Sequence, residues 1–186
     1  SIIEKYRNRY YNVSYYIDAN GKVLTRHKKK HLWDSENDHF VAGKGATIVD
    51  TAYGKIGILI CWDMAFADMW QKMLKEGVEI VFCPSYWSYG DAGKGIRYNS
   101  DAEVEFINSM CISKTFTNET AVVFCNAAKN KQPLRYTPIG RSQIAVPFKG
   151  SLKRLDHNRE EMFVQEIDTK LMEVAEQSYG LRAANG

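Results

Sequence analysis

Residues 12–17 alternate loosely between apolar and polar and are rich in Val and Tyr, which predicts a β-strand. Asn20-Gly21 follows, and residues 22–32 predict a second strand. Asn-Gly between two such runs is the strongest short-range hairpin signal. Residues 33–45 are polar, with acids and glycines, and read as a loop. Two more strands are predicted at 46–51 and 55–61, joined by the turn Ala52-Tyr53-Gly54. From Phe66 the period changes. Phe66, Met69, Trp70, Met73 and Leu74 share one helical stripe, and Gly77 sits where a C-terminal cap belongs. Residues 78–83 then predict a short buried strand ended by Pro84, and strand, helix, strand in this order implies a parallel βαβ unit.

Residues 85–99 form a long loop with Tyr86, Trp87 and Tyr89 among glycines, and loops of this length are often functional. Ser100 and Glu103 make a capping box for a helix to about Phe116, with Val104, Ile107, Met110 and Cys111 facing inward. Residues 120–126 predict another buried strand. After a polar linker, the runs 142–146 and 162–167 flank a turn at 147–150 and a charged stretch, and Asp168 caps a last short helix. The pattern is α/β with mixed strand pairing, and no internal repeat interrupts it.

The length of 186 residues suits a single domain over residues 1–186, on a norm of about 100–200 residues per domain. A formal net charge of +3 gives little reason to expect a nucleic-acid partner. The basic run Arg26–His31 does not change this, because strand alternation divides its charges between two faces and no RNA-binding aromatic motif accompanies it. No apolar run approaches 18 residues and no signal-peptide profile opens the chain, so neither a membrane nor a secretory role is supported. Cys61, Cys83, Cys111 and Cys125 form no CxxC pair and read as reduced thiols of a cytoplasmic protein. His27, His31 and His39 with Cys61 match no closed zinc-site spacing.

Cys61 is the leading candidate for chemistry. It ends the apolar run Ile56-Gly57-Ile58-Leu59-Ile60 and precedes Trp62-Asp63. A thiol at the end of a buried strand is held rigidly while the following backbone N–H groups face a cleft, so nucleophile and oxyanion hole can be built together. Lys29, in the second hairpin strand, is the simplest means of favouring thiolate over thiol. The competing reading is packing, since free cysteines are among the most buried residues.

Several segments together resemble the nitrilase superfamily, the carbon–nitrogen hydrolases. NVSYYIDANGKVL, from Asn12, resembles the family's N-t-x-x-x-I-D-x-x-G-x-V-L strands, and HKKKHL, from His27, resembles its R-K-x-H-L strand. GILICWD, from Gly57, resembles the nucleophile segment. Pro84-Ser85, Asn118, Asn126, Gly140-Arg141-Ser142-Gln143 and Glu166-Ile167-Asp168 match later landmarks in order. The resemblance implies a four-layer α-β-β-α sandwich carrying a Glu-Lys-Cys triad, with the nucleophile at Cys61 and the lysine at Lys29. A second glutamate that supports the lysine and helps position substrate falls on Glu36. Trp62 would give its backbone N–H to the oxyanion, and Tyr86 and Trp87 would contribute to the pocket wall. The implied reaction is hydrolysis of a non-peptide carbon–nitrogen bond, in a small amide or nitrile, through a Cys61 thioester. It needs no cofactor, and relatives commonly form homo-oligomers.

The chain departs from the family at three places. Ala65-Phe66-Ala67-Asp68 replaces R-F-P-E, and Thr117 stands where many relatives carry glutamate. The family's triad glutamate lies well upstream of the first strands, so the sandwich is expected to be incomplete at the N-terminus. The alternative is then a catalytically inactive truncated chain acting as a partner subunit.

Overall fold

The computed structural model describes residues 1–130 and 136–184; residues 131–135 of the polar linker lie outside the described residues. Strands β1 (Ile2–Tyr6), β2 (Arg9–Ile17) and β3 (Val23–Lys28) form an antiparallel sheet in sequence order. The expected hairpin joins β2 to β3. Asp18 holds its turn by accepting the N–H groups of Asn20 and Lys22 at 2.9 Å each, and Gly21 supplies the φ of +80°.

Six further strands form the second sheet in the order β4 (Thr47–Thr51), β5 (Gly54–Ile58), β6 (Ile80–Ser85), β7 (Ala121–Asn126), β8 (Gln143–Val146) and β9 (Gly150–Arg154). The β5–β6 and β6–β7 pairs are parallel and the others antiparallel, as the βαβ pattern and mixed pairing predict. The short helix α1 (Glu36–His39) lies between the sheets in sequence, within the expected loop. Helices α2 (Ala67–Lys75) and α3 (Ala102–Asn118) cover one face of the larger sheet. Met69, Trp70, Met73, Ile107 and Cys111 pack there against Leu59, Val81, Val122 and Phe124. Gly57 lets α2 close on β5, because a Cβ there would come within 2.9 Å of the Met73 thioether. On the other face, Ile56, Ile80, Ala121 and Val146 meet Tyr16 of β2 and Met172 of α4 (Lys170–Tyr179). The α-β-β layering of the expected sandwich is thus present. A final short helix, α5, spans Leu181–Ala184.

Several local expectations change. Pro84 does not end β6. The β5 partner is exhausted at Phe82, so the missing proline N–H falls where β6 is paired on one side only. The Ser100/Glu103 capping box is absent: Asp101 is the N-cap of α3 without a side-chain bond, and the Glu103 carboxylate instead accepts the Trp87 indole N–H. The charged stretch contains β9, an edge strand on which charged side chains reach solvent. Residues 162–167 form no strand, and Met162 and Val164 lie exposed. The loop at 85–99 contains 3-10 turns at Tyr89–Arg97. Strand β1 has no counterpart in the sequence reading.

Candidate active site

Cys61 lies three residues beyond the end of β5. Leu59 still donates to Phe82 O at 2.9 Å, Ile60 is extended, and Cys61 turns to φ +49° to open a 3-10 turn, Cys61–Ala65. A non-glycine residue in this region costs on the order of 1 kcal/mol or more and persists only where its surroundings hold it. Asp63 does the holding. Its side chain is fully buried, one oxygen accepting the Lys30 and His31 N–H groups at 3.1 and 2.8 Å. The other oxygen accepts Ile60 N–H at 3.1 Å and lies 2.9 Å from His27 Nε2. His27 is equally buried, with Nδ1 3.1 Å from Thr47 Oγ1 of β4. Asp63 therefore ties the cysteine turn of one sheet to the lysine-bearing end of β3 in the other.

Lys29 follows β3 directly and is only 2 % exposed. Its backbone is pinned from both sides: its N–H donates to Asn12 O at 2.9 Å, and its carbonyl accepts Gly43 N–H at 2.8 Å. The ammonium pairs with the Glu36 carboxylate. Glu36 also accepts from Asn12 Nδ2 at 2.9 Å and from Trp33 N–H at 2.7 Å. It is therefore not a solvated loop carboxylate.

Lys29 acts on Cys61 in the expected direction, favouring thiolate, but burial opposes it. Burial pushes the Cys61 thiol up to about 11, and the Lys29 charge opposes this without overcoming it, while Glu36 and Asp91 add to the rise. Two causes act together. Burial disfavours the thiolate, and the Glu36 carboxylate that pairs with Lys29 adds to the rise. The Cys61 Sγ donates weakly to Tyr86 O at 3.8 Å.

The aromatic residues divide. Trp62 is half-buried, with its ring centroid 4.4 Å from Trp33 and 5.5 Å from Trp87. Tyr86 is exposed, and its hydroxyl donates to Tyr136 O at 2.9 Å. Trp87 was expected in the pocket wall, but it sits in the core at 2 % exposure and leaves substrate almost no surface. Asn126 grips its backbone, accepting Trp87 N–H at 2.7 Å and donating to Trp87 O at 2.9 Å. Burial and the indole hydrogen bond to Glu103 both favour packing over recognition.

The structure adds three residues that sequence reasoning did not assign. Asp63 closes the GILICWD segment, and an acid directly after a long apolar run was the available signal. His27 stood out in the sequence only in a basic run and among histidines without zinc-site spacing. Asp91 had no signal. It is a half-buried carboxylate that accepts Ser88 N–H at 2.7 Å, and burial raises its pKa. Its charge is felt at both Cys61 and Lys29. Among the described residues, no group of three or more His, Cys, Asp or Glu is placed to hold a metal ion, and no helix is long and apolar enough to cross a membrane.

Comparison with known proteins places the chain in a family. The model of the carbon–nitrogen hydrolase family matches residues 1–177. The chain is 26% identical over 183 residues to the omega-amidase NIT3 of Saccharomyces cerevisiae, covering 94% of this chain and 58% of that protein. It is 27% identical over 192 residues to N-carbamoylputrescine amidase of Arabidopsis thaliana, covering 97% of this chain and 62% of the relative. The crystal structure of a carbon–nitrogen hydrolase from Helicobacter pylori G27 superposes with a TM-score of 0.82 at 21% identity, over 97% of this chain and 65% of that one. The family match begins at residue 1, so it lends no support to the expectation of a missing front segment. The chain spans about three-fifths of the length of these curated relatives.

Proposed function

The chain belongs to the carbon–nitrogen hydrolase family, and on that premise we propose that it hydrolyses a small amide through a thioester on Cys61, within one domain over residues 1–186. The observation that carries this reading is the joining of two parts. A cysteine at φ +49° is tied through buried Asp63 to the strand that presents the Lys29–Glu36 pair. An amide is favoured over a nitrile because the relatives above are named as amidases.

Sγ of Cys61 attacks the carbonyl carbon, and as the carbon–sulfur bond forms the thiol proton passes to the amide nitrogen that will leave. A thiol held up at about 11 is neutral at pH 7, so deprotonation accompanies attack rather than preceding it. The oxyanion that develops is held by the Lys29 ammonium and the Trp62 backbone N–H. Glu36 positions Lys29. With three donors already on its carboxylate, it is poorly suited to moving protons. The carbon–nitrogen bond breaks, the amine leaves with a proton, and water then cleaves the thioester to acid and free thiol. Trp62 and Tyr86 form the substrate-facing aromatic surface.

The test offers ω-amides and N-carbamoyl amines to the protein, follows release of ammonia or amine, and maps acylation by mass spectrometry after acid quench. An acyl group on Cys61, with turnover abolished in Cys61→Ala, supports the reading. Turnover that survives Cys61→Ala would overturn it. Absence of both turnover and acylation would instead favour a non-hydrolytic partner subunit.

A further inference from the structure

The basic run that precedes the site has a second face. His27 and Lys29 are buried towards Asp63 and Glu36, whereas Arg26 and Lys28 line a cavity of about 580 Å³ on the other side. Arg9, Lys44 and Lys72 complete the cationic wall, with Tyr11 beside them, and among the described residues no carboxylate lines the cavity. Arg26 is paired with Glu4. Lys28 rests on aromatic rings, its Nζ 3.6 Å from the Tyr11 centroid and 5.6 Å from that of Tyr6. Lys72 donates to Ala46 O at 3.1 Å. Among the described residues, no carboxylate is within ion-pairing distance of Arg9, Lys28, Lys44 or Lys72. These four cations alone exceed the whole chain's formal net charge of +3.

Like charges gathered in one concavity repel one another and focus a positive potential into it, an arrangement that a bound anion relieves. From this cavity we infer a binding site for a small phosphate-type anion carrying two or more negative charges. The Arg9 guanidinium offers a planar fork suited to phosphate oxygens, and the three lysines add point charges. The volume falls within the few hundred Å³ of small-molecule sites, and the loop at 41–47 closes one side, which suits a compact ligand better than an extended polymer. The site backs directly onto the catalytic candidates. Gly43 of its wall donates to Lys29 O at 2.8 Å, and Thr47 Oγ1 lies 3.1 Å from His27 Nδ1.

The test titrates the protein with pyrophosphate by calorimetry, beside inorganic phosphate, citrate and a mixed-sequence RNA oligonucleotide. Saturable binding of one pyrophosphate is expected, weakening as salt is raised. Lys28→Met and Lys44→Glu should each weaken it by about tenfold or more, as loss of a charge-assisted contact does. Lys170→Glu, an exposed charge change on α4, should leave it intact. Cys61→Ala should also leave it intact, so the outcome is independent of the proposed hydrolysis. Equal sensitivity to Lys170→Glu, tighter binding of citrate, preferential binding of RNA, or no saturable binding in the folded protein would each overturn the proposal.

Discussion

The turn after β5 and the end of β6 each hold a thiol beside the same parallel strand pair, and they are built for different ends. Cys83 lies within β6, 1 % exposed, with its Sγ near Cys61 O and Ser85 Oγ. Burial pushes its thiol up to about 12. Cys61 is also driven up by burial, to about 11, yet it stands in a positive-φ turn and feels a lysine that opposes the rise. Burial is common to both and does not mark the proposed nucleophile. The marks are a backbone turned out of the strand and a cation delivered from another sheet, held there by Asp63.

The sharpest way to break the comparison is to remove each sulfur in turn. Cys61→Ala is expected to lower amide turnover by about a thousandfold or more, because no other group supplies the covalent step. Cys83→Ala should leave turnover within a few-fold and act on stability, read by chemical denaturation. Next in size is the tie. Asp63→Asn leaves His27 without its buried carboxylate partner and weakens the bonds from Lys30, His31 and Ile60. The expected loss is about 2–3 kcal/mol in urea denaturation, the scale of hydrogen bonds to a buried charged group. Cys61 should then lose its distinct reactivity while Cys83 keeps its own.

A smaller effect separates the two thiols electrostatically. Lys29→Met removes the charge that opposes the rise at Cys61, so its thiol moves further up. Iodoacetamide labelling at pH 8 should slow there by about tenfold, the equivalent of one pKa unit, and Cys83 should not respond. The mildest test is the pH profile of wild-type labelling. A raised thiol pKa means that the thiolate fraction keeps growing with pH, so the Cys61 rate should climb steadily from pH 7 to pH 10. A plateau below pH 8 would show that Lys29 wins over burial.

Strand periodicity made β2, β3, β5 and β7 legible, and the Asn20-Gly21 turn lay where its chemistry requires. The reading failed where context outweighed local pattern. Pro84 stays in a strand because its neighbour has already ended, and Glu103 abandons a cap for an indole. β9 was hidden because an edge strand tolerates charges. Cys61, Lys29 and Glu36 stand in segments the sequence singled out, and the fold pairs Lys29 with Glu36 and brings the lysine charge to bear on Cys61. Trp87 was misread because an aromatic residue in a long loop looks the same whether it faces solvent or core.

The sequence by itself determined the α/β class, the βαβ unit, the family and the segment that bears the thiol, since all of these rest on periodicity and on ordered local motifs. Only the tertiary structure decided that buried Asp63 joins the two sheets, that the Lys29 charge is met by Glu36, and that the Cys61 thiol is raised rather than lowered. It also separated the two faces of the basic run. Those properties depend on desolvation and on charges distant along the chain but adjacent in space, such as Glu36 and Asp91 around Cys61, and one-dimensional spacing does not carry that information.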